Sequence, residues 1–181
     1  MAESQIPENG FENAEQLKAW LADKPREWSF VIAFRSAARV LPLSAVKRKQ
    51  PNAELTKTVF RSIFVSSVVS RYPLQHLHPQ SLGASDYASR AIVNSNLSFT
   101  SDQATFAIQR SIALLSRPIS QVASEAAHVA DSSRVAAFNA FVTNEPKFVV
   151  SRKAQLAIWG AVTSDAKSLI ELMKHKYPSL E

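Results

Sequence analysis

The sequence predicts an all-α fold, a single-domain antiparallel helical bundle or irregular α-array of about seven to eight helices around a buried central helix at 25–41. Three observations point there. Only 3 of 181 residues are glycine, too few for a turn-dense β architecture. The long segments are rich in alanine, leucine and serine, and no strand pattern competes beyond the scrap Phe148-Val-Val150. Finally, the run from Pro25 to Leu43, PREWSFVIAFRSAARVLPL, crowds its apolar residues so closely that little helix circumference is left for water.

Residues 1–12 read as a flexible lead, and 13–178 as one helical domain. Asn13 is a suitable N-cap for a short amphipathic helix, Ala14 to Leu21, with Leu17, Trp20 and Leu21 on one face. In the second helix Pro25 suits the first turn, where its missing N–H has no partner to lose, and Pro42 provides the stop. Phe30, Phe34, Ala37 and Leu41 form one stripe, which Trp28, Val31, Ile32 and Ala38 widen past half the surface. A basic connector, SAVKRKQPN, leads to a third helix from about residue 53 to Arg71, ended by Tyr72 and Pro73. The stretch YPLQHLHPQSLG is then the longest candidate loop.

Two octets, Ser85 to Ile92 and Ser101 to Ile108, share S-D-x-A-[ST]-x-A-I. Each is expected to open a helix, the serine capping free amides and the aspartate complementing the dipole. Arg90 occupies the place where the second copy puts Phe106, so an arginine is expected beside a core position. The later helices are expected over 102–116, 118–129, 132–142 and 152–176, with Phe106, Ile108 and Ile112 inward in the first of them. Leu156, Trp159, Val162, Leu169 and Leu172 supply apolar positions in the last, and Ala157, Gly160, Ala161 and Ser164 give it a thin side.

At 181 residues the chain suits one core, and its hydrophobic fraction of 46% is that of a globular protein. Without cysteine, disulfides, thiolate nucleophiles and cysteine-ligated zinc are excluded. The acidic N-terminus lacks the basic and then apolar pattern of a secretion signal, and the apolar runs fall short of the ~20 residues a spanning helix needs. A cytoplasmic location is the expectation. The net charge of +6 is unevenly placed: six acids against three bases up to Trp28, then eleven bases against three acids from Arg35 to Arg117. Such a field favours an anionic partner.

Chemical motifs are sparse. No phosphate-cradling glycine cluster, G-x-S-x-G or H-E-x-x-H occurs. Ser164-Asp-Ala-Lys167 matches S-x-x-K with none of its companion motifs. His76 and His78 in the long loop do not complete a metal site, and Glu125 with His128 forms only one of the two E-x-x-H units a di-metal bundle requires. Neither a cofactor nor a metal is expected.

The candidate partner- or anion-binding residues are therefore basic: Arg35, Arg39, Lys47, Arg48, Lys49, Lys57, Arg61 and Arg90. Arg35 and Arg39 stand one turn apart in the crowded second helix, and two readings stay open for them. Their stems snorkel while their heads pair with Glu27, Glu54 or another internal acid. Alternatively, with Arg90, they surround an anionic group brought by a ligand or partner.

The stretch W-L-x-D-x-P-R at 20–26, followed by A-x-R-x-A-x-R-V-L-P at 33–42, is similar to uncharacterised bacterial helical proteins. That resemblance covers only residues 20–42 and implies no role for any of them. The functional expectation is a noncatalytic interaction or regulatory module that uses a basic surface to bind an acidic macromolecular partner, foremost another protein, with homo-oligomerisation left open. The alternatives are nonspecific nucleic-acid binding, with Lys47, Arg48, Lys49, Lys57 and Arg61 on phosphates, and a small enzyme or metal site using the loop from His76 to Gly83.

Overall fold

Asn13 does what its residue type predicts: its side chain accepts a hydrogen bond from the Gln16 backbone N–H at 2.9 Å and opens the first helix, α1 (Ala14–Leu21). The computed structural model describes residues 5–44, 99–114, 117–142 and 148–176. Within them lie four further helices, α2 (Arg26–Val40), α3 (Phe99–Ala113), α4 (Ile119–Val142) and α5 (Phe148–Lys176), and a 3₁₀ turn, Leu41–Ser44. The protein is all-helical here, with no strand among the described residues. The expected helix over 53–71, the histidine loop and the first S-D octet lie outside the described residues.

Where seven to eight helices were expected, the described residues hold five, and part of the difference is a fusion. The expected break near Asp131-Ser132-Ser133 is absent, and α4 runs unbroken for 24 residues. Serine and aspartate often end helices by offering the backbone another partner, but here they are satisfied without a break. The Ser133 hydroxyl donates to the Val129 carbonyl one turn back at 2.8 Å, and Asp131 accepts from Arg134 Nε at 2.8 Å.

Other boundaries shift for similar reasons. α3 begins at Phe99, so Ser101 and Asp102 belong to its first turn rather than capping it. The β-like Phe148-Val-Val150 is the opening of α5, because a run of three residues expresses a helical or an extended preference according to the chain it leads into.

Burial follows the predicted stripes in α2. Trp28, Phe30, Ile32, Ala33, Phe34, Ala37 and Val40 are all buried, while Ala38 faces solvent. Yet α4 packs extensively against all four other described helices, whereas α2 meets α1 more narrowly, through Trp28 on Trp20. The inward residues of α4 include Val122, Ala126, Ala127, Val129, Ala130, Ala136 and Ala137, and side chains this short let neighbouring backbones approach closely. The centre is thus shared: α2 contributes bulk and α4 the thin axis around which the bulk packs.

Two expectations about inward residues are corrected. Phe106 is 43% exposed, because the face of α3 that packs inward runs through Ala104, Ala107, Ile108 and Ser111, and continues to Leu114 just past its end. On α5, Leu156 and Leu172 are exposed, and the buried stripe comprises Ile158, Trp159, Val162, Thr163, Asp165, Ala166 and Leu169.

The segment read as a flexible lead is anchored over residues 5–12. A turn closes with the Gly10 N–H on the Pro7 carbonyl at 2.8 Å. Phe11 is buried, and its backbone N–H donates to Thr163 Oγ1 on α5 at 2.9 Å. Its ring meets Trp20 with centroids 5.5 Å apart, and Trp20 meets Trp28 at the same separation. This aromatic row joins the lead, α1 and α2 into one corner of the core.

Candidate functional site: two arginine clusters

Arg35 and Arg39 project from the one side of α2 that is not buried, one turn apart, and both reach across to Asp165 on α5. Arg35 Nη1 donates to Asp165 Oδ1 at 2.9 Å, and Arg39 Nη1 lies 2.7 Å from Oδ2. The second contact is an ion pair without an aligned hydrogen bond. Of the two readings the sequence left open, the pairing to an internal acid is the arrangement present, with Asp165 in the place proposed for Glu27 or Glu54.

Sequence reasoning missed Asp165, although its position signals inward placement. It stands three residues after Val162 and four before Leu169, on the stripe that α5 buries. The carboxylate side chain is only 9% exposed, whereas the Arg35 side chain is 48% exposed. A buried carboxylate needs compensation, and here two guanidiniums supply it from the solvent side. One negative charge set against two positive ones leaves a surplus of one, carried by groups that still have N–H donors facing water.

A second cluster repeats the ratio at the junction of α3 and α4. Glu125 lies 3.5 Å from Arg110 Nη1 and 3.9 Å from Arg117 Nη2. Arg26 does not pair with Glu125 but braces the cluster from α2: its Nη2 donates to the Arg117 carbonyl at 3.1 Å, while its guanidinium carbon sits 5.0 Å from the Phe30 ring centre. Arg110 in turn lies 4.7 Å from the centre of the half-exposed Phe106 ring. Beside this cluster, Ile119 at the start of α4 is exposed. From spacing alone, Glu125 stood out only as a partner of His128. In the structure Glu125 engages arginines, and His128 is exposed.

Of the eight basic residues proposed from the sequence, the structure thus brings together Arg35 and Arg39. Lys47, Arg48, Lys49, Lys57, Arg61 and Arg90 lie outside the described residues, as do His76 and His78. Among the described residues no three histidine, aspartate or glutamate side chains group to hold a metal ion. Ser164 and Lys167, the S-x-x-K pair, both face solvent. No described helix is long and apolar enough to cross a membrane. No family model matches the chain, and no curated protein or solved structure is significantly similar to it.

Proposed function

We propose that the protein is a noncatalytic helical module that binds an acidic macromolecular partner, foremost another protein, through its arginine-bearing surface. The observation that supports this reading is the stoichiometry of the two clusters. Asp165 is shared by Arg35 and Arg39, and Glu125 by Arg110 and Arg117, so each carboxylate holds two guanidiniums in place and leaves one positive charge over. Arginines fixed in this way lose less side-chain entropy when they meet a carboxylate on a partner.

A protein partner is favoured over nucleic acid by what lies beside the second cluster. Phe106 and Ile119 are exposed, and Arg110 already covers the Phe106 ring, so a stacked base would have to displace it. Exposed aromatic and aliphatic groups interleaved with arginine are the composition of protein interfaces.

The test is affinity isolation from the native source, with the wild-type chain and the double variant R35Q/R117Q compared at low and moderate salt. Both substituted side chains are about half exposed, so the variant is expected to fold. Protein capture that weakens with salt and is lost in the variant supports the reading. Equal capture by both chains, or retention on a random oligonucleotide with no protein recovered, would overturn it.

A further inference from the structure

Away from both arginine clusters, a cleft of about 230 Å³ opens where the N-terminal lead crosses α4 and α5. Glu12 and Asn13 come from the lead, Asp131 and Arg134 from α4, and Arg152, Gln155, Leu156 and Trp159 from α5. Three separate stretches of chain thus converge on one hollow. Its wall includes a buried indole, and its mouth an exposed leucine.

The charges in it are not mutually exhausted. Asp131 engages Arg134 through Nε alone, at 2.8 Å, which leaves the terminal nitrogens of that guanidinium without a protein partner among the described residues. Arg152 is exposed and pairs with no acid among the described residues. The hollow therefore presents two sets of guanidinium donors without partners among the described residues, beside an apolar surface made chiefly by Leu156.

We propose that this cleft binds a small monocarboxylate with a planar apolar body. A carboxylate matches the guanidinium fork in two parallel hydrogen bonds. A planar body covers the exposed Leu156 and abuts the small part of Trp159 that reaches the hollow, and the apolar surface it removes from water is chiefly that of Leu156. The two acids in the lining select against a dianion: Glu12 and Asp131 balance Arg134 and Arg152, so a phosphate would gain two guanidiniums and meet two carboxylates. The volume lies below the ~300–1,000 Å³ usual for drug-sized ligands, which sets the size class as small.

Sodium benzoate is the probe. The three tryptophan indole N–H signals of the ¹⁵N-labelled full chain are followed in a titration, with Trp159 assigned by W159F. Benzoate is expected to move the Trp159 signal along a saturating curve while Trp20 and Trp28, which face each other in the aromatic row, stay in place. Neutral benzamide and inorganic phosphate are expected to leave all three unmoved. R152Q removes an exposed side chain and should weaken benzoate at least about tenfold, or 1.4 kcal/mol, with R134Q as the second variant. A Trp159 signal that does not move, a shift that stays linear, an equal response to benzamide or phosphate, or undiminished binding in both variants would overturn the proposal. None of these results bears on protein capture by the arginine clusters.

Discussion

Asp165 is the buried carboxylate that joins α2 to α5. It is an acid placed on an apolar stripe, and Arg35 and Arg39 close over it there from α2. Exchange for asparagine preserves the shape but leaves two guanidiniums facing each other without an anion between them. Since Arg35 is half exposed and water screens it, the expected loss is below that of a fully buried pair, about 1–3 kcal/mol of unfolding free energy. Urea denaturation of D165N reads this directly. A second change, R39M on the D165N background, takes away one of the opposed charges and should recover part of the loss. An unchanged urea midpoint in D165N, or a further loss in the double variant, would show that the charges are not what holds α2 to α5. The arginines were legible from their spacing in a crowded helix. Their partner was not, because 130 residues separate Arg35 from Asp165 and local sequence carries no record of which distant acid will arrive.

Between elements, the join that depends most on geometry is the one from the lead to α5. Gly10 adopts φ +79°, and a Cβ built there would sit 2.7 Å from Thr163 Oγ1, the atom that accepts the buried Phe11 N–H. Thr163 is therefore not free to rotate aside: moving its hydroxyl leaves a buried amide unmet. Gly10→Ala is expected to cost roughly 1–3 kcal/mol through the left-handed backbone and the clash together. Hydrogen exchange at the Phe11 amide should accelerate in parallel, and wild-type exchange there would contradict the pinning. Element boundaries were readable where one local signal sufficed, as with Asn13 before α1 and the prolines around α2. They misled where two signals compete. Asp131, Ser132 and Ser133 have the composition of a helix break, yet the Asp131 and Ser133 side chains find their partners within the same helix. A polar side chain's choice between capping and back-bonding is settled by the packing on both sides, which for α4 is continuous from Val122 to Ala137.

At the scale of the molecule, the fold class was legible because it rests on composition and periodicity, while the axis of packing was not. Bulk draws attention to α2, whose phenylalanines and tryptophan account for much of the buried apolar volume. Contact, however, needs slender side chains at the centre so that several helices reach one line, and the alanines of α4 provide that line. This arrangement predicts a cooperative response to a single overfilled position. Ala130 is fully buried on α4, and replacing it by leucine inserts volume into a packed interior, at an expected cost of about 1–3 kcal/mol. Because α4 touches every other described helix, the strain should spread to all of them. In thermal or urea unfolding of Ala130→Leu, the far-ultraviolet helical signal and the tryptophan fluorescence, which reports α1, α2 and α5, should shift to lower midpoints together. Separation of the two transitions would mean that the helices bearing Trp20, Trp28 and Trp159 hold together without α4 between them, and the shared axis would have to be placed elsewhere.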